Sequence, residues 1–288
     1  MKLVNFSIGN GAPRAGLLVG NHVFDAPRPT VQELLQTERI SEPKSVGQPL
    51  AEVKLHAPLL YPGTIFCAGA NYSDHVAEMA RAQNMPLPTD PKSLGLKPWH
   101  FIKPPRACVV GPGARVARPA GSQKLDWEAE LVAVIGKPAR NVAVKDALGC
   151  VAGYTCANDL SARDLGRRTQ LPQTNPFHFD WTAHKGFEGS CPLGPWITPA
   201  AEVPDPQRLW IRLWVNGVLK QDSNTSQMIY SVAEQISHLS SLATLHPGDI
   251  ILTGTPAGVG TPRNEFLQPS DHVEVEIEGL GRLENWIA

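Results

Sequence analysis

Short runs of β-forming residues alternate with polar turns along this chain, and helical spacing interrupts the pattern in a few places. Residues 2–7, 15–19 and 22–24 read as short strands, with a turn at Gly20-Asn21. A helix is predicted to start at Thr30, whose hydroxyl suits an N-cap, with Val31, Leu34 and Leu35 on one face. Polar residues over 37–48 predict a connector. Further strands are predicted at 65–68, 101–103, 128–135, 151–156, 209–215, 250–253 and 273–277. Helical spacing of Val232, Ile236 and Leu239 predicts a helix over 229–243, and a shorter one is expected at 73–83 with Ser73 as its N-cap. Many strands and few helices predict a mostly β (α+β) protein, barrel-like or sheet-layered, rather than a doubly wound one. Residues 1–56 form a small N-terminal α+β unit in this reading, and 57–288 the main domain.

Composition narrows the picture. The chain has 288 residues, 42% hydrophobic and 18% charged, which supports a sizeable core and argues against disorder. Its 27 prolines and 25 glycines fit a loop-rich β fold. A net charge of −1 predicts no general affinity for nucleic acid or anionic membranes, so an anionic substrate needs a local site. The five cysteines are odd in number and include no Cys-x-x-Cys, which disfavours a structural zinc site or a disulfide framework. Reduced thiols, the absence of a signal-peptide pattern and the absence of a ~20-residue apolar run make a cytoplasmic protein the expectation.

The most informative chemistry lies in Asp126-Trp127-Glu128-Ala129-Glu130-Leu131. On a strand, Glu128 and Glu130 point the same way, with Cα atoms ~6.5–7 Å apart. Neighbouring acids repel unless a cation sits between them, and no Lys or Arg flanks them within the strand. Asp159 follows at the end of another strand and offers a third hard oxygen ligand, a set suited to Mg²⁺ or Mn²⁺. A solvated face of ordinary surface acids is the alternative. His75 and Glu78 share a helix face, where a carboxylate orients an imidazole and makes it a better base; an exposed His–Glu pair reads the same way. Lys185 lies among aromatic residues and could stabilise an enolate, although local sequence alone reads it first as a surface lysine. His184 beside it reads as structural. The glycine-rich stretch 253–260 follows a strand and fits either an anion-cradling loop or a tight turn. It matches neither a P-loop nor a dinucleotide fingerprint.

The order of these motifs is more specific than any one of them. Gly69-x-Asn71-Tyr72-x-x-His75-x-x-Glu78 precedes Asp126-Trp127-Glu128-x-Glu130-Leu131, then Asn158-Asp159-x-Ser161-Ala162-Arg163-Asp164, then Lys185. Pro192-Leu193-Gly194-Pro195-Trp196, Asn216-Gly217 and Pro247-Gly248-Asp249 through Gly260 complete the series. The series resembles the fumarylacetoacetate hydrolase family over about residues 61–288. The resemblance implies packed sheets rolled around a central site and a homodimer. It also implies that Glu128, Glu130 and Asp159 are ligands of a divalent metal. By the same match His75 and Glu78 are a water-activating dyad on a lid helix, Lys185 is a catalytic lysine, and Gly254 and Thr255 hold a substrate carboxylate.

The expected activity is metal-dependent hydrolysis of a C–C bond in small anionic 2,4-dioxo acids such as acylpyruvates. Decarboxylation of oxaloacetate-type acids, or isomerisation or hydration of dienoic diacids, would use the same enolate chemistry. A non-catalytic module binding metal or small acids is a further alternative. Two departures from the family pattern, Ala70 and Gly166, suggest a different or roomier pocket. Arg167 or Arg168 is placed to reach an anionic substrate tail, solvent-exposed arginine being the plainer reading.

Overall fold

The structure, a computed structural model, describes residues 1–36, 43, 46–87 and 89–288. Most of the predicted connector at 37–48 lies outside the described residues. Lys2–Ser7, Arg14–Val19 and His22–Asp25 form an antiparallel meander, as the alternation predicts. The helix after Thr30 is a single turn, Val31–Leu34, and the Thr30 side chain accepts from the Glu33 N–H.

The strand Ala129–Ile135 lies at the centre of the molecule. It pairs antiparallel with Val151–Asn158 on one side and with Ile250–Leu252 on the other. Ile250–Leu252 runs parallel to Ile65–Ala68, which pairs with His100–Lys103. Beyond Val151–Asn158 comes Cys191–Pro199, and a bridge between Leu3 and Ile197 joins the N-terminal meander to it. Among the described residues this makes a 12-stranded sheet. A second sheet of five strands contains Trp210–Val215, Val218–Asn224, His272–Ile277 and Gly281–Ile287.

The period-two alternation of the central strand divides the core. Leu131, Ala133 and Ile135 pack with Ile211, Leu213, Val275 and Leu283 of the second sheet. Val132 and Val134 pack on the other face with Ile197, Ile250 and Leu252. Glu130 belongs to that second face. The fold is therefore mostly β, as expected, but the larger sheet runs from Gln48–Pro49 to His100–Lys103 without closing. The layered alternative holds rather than the barrel, because the second sheet covers the inner face that closure would otherwise bury.

Some boundaries differ from the pattern. The strand predicted from 128 begins at Ala129, and Trp127 and Glu128 lie in the connection after the short strand Leu125–Asp126. The helix Ser73–Ala82 is capped by Tyr72, so Ser73 is its first residue and not its cap. The helix Val232–Leu242 starts later than expected, where Ser231 and Glu234 form a capping box. Among the described residues, no helix is long and apolar enough to cross a membrane.

Candidate metal centre and active site

Glu128 enters from the connection before the central strand, Glu130 from that strand, and Asp159 from the residue after Val151–Asn158. Backbone pairing brings them together: the Asp159 N–H donates to the Glu128 carbonyl at 2.8 Å, and the Glu128 N–H to Asn158 Oδ1 at 2.9 Å. One carboxylate oxygen from each of the three acids lies within 4.8 Å of the others, and all three side chains are buried. The alternative of a solvated acidic face therefore does not describe these residues.

Cations reach the cluster from distant parts of the chain. Lys185 is buried, not at the surface, and its Nζ donates to Glu128 Oε2 at 2.9 Å and to Asp159 Oδ2. Its ammonium also lies 5.4 Å from the centroid of the Phe101 ring. Lys103, fully buried, donates to Asp159 Oδ1 and to the Ser190 carbonyl. Arg163 bridges Asp126 at 2.9 Å and Glu128 at 2.7 Å. The absence of a flanking cation within the strand thus does not leave the acids uncompensated. Burial alone would raise the Glu128 carboxyl, but Lys185 and then Arg163 outweigh it and hold it well below the usual range. Glu130 goes the other way. Burial pushes its carboxyl well up, and the charges of Asp159 and Glu128 push it further. Its Oε2 accepts from the Gly254 N–H at 2.7 Å, and among the described residues it forms no ion pair with a Lys or Arg.

That imbalance is the test of fit for a metal. Four buried carboxylates, counting Asp126, face three cations. Glu130, the acid without an ionic partner, is one of the three with converging oxygens. A hard divalent cation would relieve its repulsion. The donor set fits Mg²⁺ or Mn²⁺, with Glu128, Glu130 and Asp159 as the residues to hold it.

His75 and Glu78 project from the helix Ser73–Ala82. Burial lowers the His75 pKa below its usual value, Glu128 opposing, and Nδ1 is sealed from solvent without a hydrogen-bond partner. Among the described residues no hydrogen bond joins His75 to Glu78. Glu78 Oε2 instead accepts from the Gly258 N–H at 2.8 Å, tying the helix to the glycine-rich loop. Asp74 adds a second tie, accepting from Ser223 Oγ at 2.6 Å.

The loop after Ile250–Leu252 needs glycine twice. Gly254 has φ +100° and a Cβ there would stand 2.8 Å from the Asn71 Cβ; Gly258 has φ +105° and its Cβ would meet the Lys220 carbonyl at 2.2 Å. Asp126 pins the end of the loop by accepting from Gly260 N–H at 2.6 Å and from Thr261 Oγ1 at 2.7 Å. Thr255 Oγ1 accepts from buried Gln221 Nε2 at 2.9 Å, while the Gly254 N–H is already given to Glu130.

A cavity of about 410 Å³ opens beside the cluster, lined in part by Met79, Arg163, Arg167, Phe179, Trp181 and His184. Gly166 does not make it roomier. A Cβ at 166 would lie 2.8 Å from His184 Cγ, so the imidazole already fills that space. Ala70, at φ +49°, borders a different groove between the 69–77 and 87–99 segments. Arg168 is engaged by Asp180 at 2.7 Å and the Phe177 carbonyl at 3.0 Å, which leaves Arg167 to the cavity. Lys103, Arg163, Asp126 and Gln221 received no role from the sequence. A lysine in the short strand before Pro104-Pro105 was a signal for Lys103, and Arg163 stood within a quoted motif; nothing local marked Gln221.

The family model for the fumarylacetoacetate (FAA) hydrolase C-terminal region matches residues 64–288. A mitochondrial oxaloacetate tautomerase from Bos taurus is 42% identical over 241 residues, covering 82% of this chain and 70% of that protein. A Homo sapiens counterpart is 37% identical, covering 99% of this chain and 91% of its own length. Among solved structures, a fumarylacetoacetate hydrolase from Exiguobacterium antarcticum superposes with TM-score 0.81 at 33% identity, covering 100% and 99% of the two chains. Fumarylpyruvate hydrolase from Pseudomonas aeruginosa, in complex with Mn²⁺ and pyruvate, superposes with TM-score 0.66 at 32% identity, covering 79% and 90%.

Proposed function

Because the chain belongs to the fumarylacetoacetate hydrolase family, we propose that it is a divalent-metal-dependent enzyme interconverting the keto and enol forms of a small 2-oxo acid. The carrying observation is the convergence of three buried carboxylates, two of them paired with the buried Lys185, with a mostly buried histidine nearby. The names borne by relatives at 37–42% identity, oxaloacetate tautomerases, support tautomerisation as the reaction.

Glu128, Glu130 and Asp159 hold the cation, Mg²⁺ or Mn²⁺. When bound, it would supply Lewis acidity that makes the C3 proton of a 2-oxo acid more acidic. His75, kept neutral at pH 7 by burial, takes that proton on a ring nitrogen. Lys185 donates toward the 2-oxo oxygen as negative charge develops there. Transfer of the same proton from the His75 imidazolium to that oxygen gives the enol and restores neutral His75, and the reverse sequence returns the keto acid. Thr255, oriented by Gln221, binds the substrate carboxylate. Helix Ser73–Ala82, tied through Asp74 and Glu78, acts as the lid that excludes water.

Hydrolysis of a 2,4-dioxo acid is the second reading, favoured by the likeness to a fumarylpyruvate hydrolase. It needs His75, supported by Glu78, to deprotonate a water, whereas here Glu78 Oε2 accepts from the Gly258 N–H and no hydrogen bond to His75 is formed among the described residues. Decarboxylation or diene isomerisation would branch from the same enolate. The test uses EDTA-stripped protein with oxaloacetate and with an acylpyruvate, with and without Mn²⁺, followed by enol absorbance and ¹H NMR. The expected result is Mn²⁺-dependent loss of the oxaloacetate enol, faster than any pyruvate release. Pyruvate and a free acid as the main products from the acylpyruvate would favour hydrolysis instead. Full activity without any divalent ion would overturn both readings.

A further inference from the structure

The helix Ser73–Ala82 has two working sides. His75, Glu78 and Met79 share one of them, where Glu78 bonds the glycine-rich loop. Ser73, Val76 and Ala77 fall on the opposite side, because residues three and four apart share a helix face. That opposite side borders a cavity of about 550 Å³, separate from the carboxylate cluster. The volume is within the range of small-molecule sites. Leu87, Leu96, Trp99 and Ile229 continue its mostly apolar wall. The Trp99 indole rests on Gly69, where a Cβ would stand 1.9 Å from the ring. Leu87, Leu96 and Trp99 are all exposed. Large apolar side chains gathered around one hollow mark a binding site, whereas single ones scattered over a surface do not.

One end of this chamber is polar. Lys97 lines it and also lines a second hollow of about 420 Å³, which shares Leu96 and Tyr230 and adds Lys92, Ser237 and His238. Lys92 is committed to Glu234 at 2.8 Å. Lys97 forms no ion pair or hydrogen bond among the described residues. Asp90, the other charged residue of the apolar chamber, is turned into its own loop and accepts from the Lys92 N–H at 3.0 Å. An apolar chamber that ends at an uncommitted ammonium is complementary to an amphipathic anion.

We propose that this cavity binds an acyl carboxylate of medium chain length, and that its occupancy holds helix Ser73–Ala82 against the glycine-rich loop. The tail packs on Val76, Ala77, Leu96 and Trp99, and the carboxylate pairs with Lys97. The ligand supports the helix from behind, while the bond from the Gly258 N–H to Glu78 at 2.8 Å holds its other side. His75 rides on the same helix, so the ligand acts on the carboxylate centre without touching it. The site does not depend on which reaction that centre performs.

The test is calorimetry on the Mn²⁺-supplemented protein with saturating oxalate present, which keeps a carboxylate probe off the metal centre. The probes are octanoate, octan-1-ol and butanoate. Octanoate is expected to bind roughly tenfold more tightly than butanoate, through its longer tail. It should bind roughly fivefold more tightly than octan-1-ol, through its charge. K97Q should erase the preference for octanoate over octan-1-ol and leave the octan-1-ol Kd unchanged, whereas L96N should weaken both. Lys97 and Leu96 are exposed, so both variants keep the fold. Amide exchange across Ser73–Ala82 should slow severalfold with octanoate bound. Three results would each overturn the proposal: no saturable octanoate binding under the oxalate block, a K97Q effect of equal size on octanoate and octan-1-ol, or helix exchange that octanoate leaves unchanged.

Discussion

Glu128 and Glu130 lie two residues apart in sequence yet meet opposite electrostatic fates. Lys185 and Arg163 clasp Glu128, whereas Glu130 receives only a backbone N–H. Substitution should separate them. Glu128→Gln leaves two cations under-compensated and is expected to cost about 3 kcal/mol in urea unfolding of the metal-free protein. Glu130→Gln removes a repelled charge, so metal-free stability should hold or rise, while Mn²⁺ affinity by calorimetry falls at least tenfold. The side-by-side placement of these two acids was legible from strand alternation alone. Their cations were not, because Lys103, Arg163 and Lys185 approach from separate elements and no local pattern reports contacts that span 26 to 57 residues.

Elements were legible where alternation was clean and hidden where proline and glycine broke it. Cys191–Pro199 is an interior strand of the larger sheet, but Pro192, Gly194, Pro195 and Pro199 gave it the composition of a loop. The strands at 218–224 and 281–287 escaped similarly, their exposed and polar positions diluting the signal. At this scale the glycine-rich loop is the sensitive piece, since it links the carboxylates to helix Ser73–Ala82 through Gly254 and Gly258. Gly258→Ala forces a side chain against the Lys220 carbonyl at positive φ. It is expected to cost about 2–3 kcal/mol in denaturant unfolding. Glu78→Gln weakens the tie from helix to loop, and amide exchange at Gly258 should quicken while the central strand stays protected.

At the scale of the whole molecule, His100 contributes stability that is lost on mild acidification. Burial pushes His100 down to about 4, with His238 adding to the effect and Gln235 opposing it. Between pH 6.5 and about 4 the unfolded chain therefore takes up a proton that the native state refuses. The His100 contribution is full above that window and drops by roughly 1.4 kcal/mol per pH unit inside it. His100→Gln should flatten that slope in melts recorded at a series of pH values. The homodimer implied by the family remains a proposal at this scale; light scattering should return twice the chain mass of 31.2 kDa. The mostly β character was readable from the sequence, but whether the sheets close depends on edge pairing that alternation does not encode. The central claim is that Glu128, Glu130 and Asp159 grip one divalent ion. Anomalous scattering from crystals grown with Mn²⁺ tests it most directly: the account predicts a single strong peak among those three carboxylates, and no peak there would contradict it.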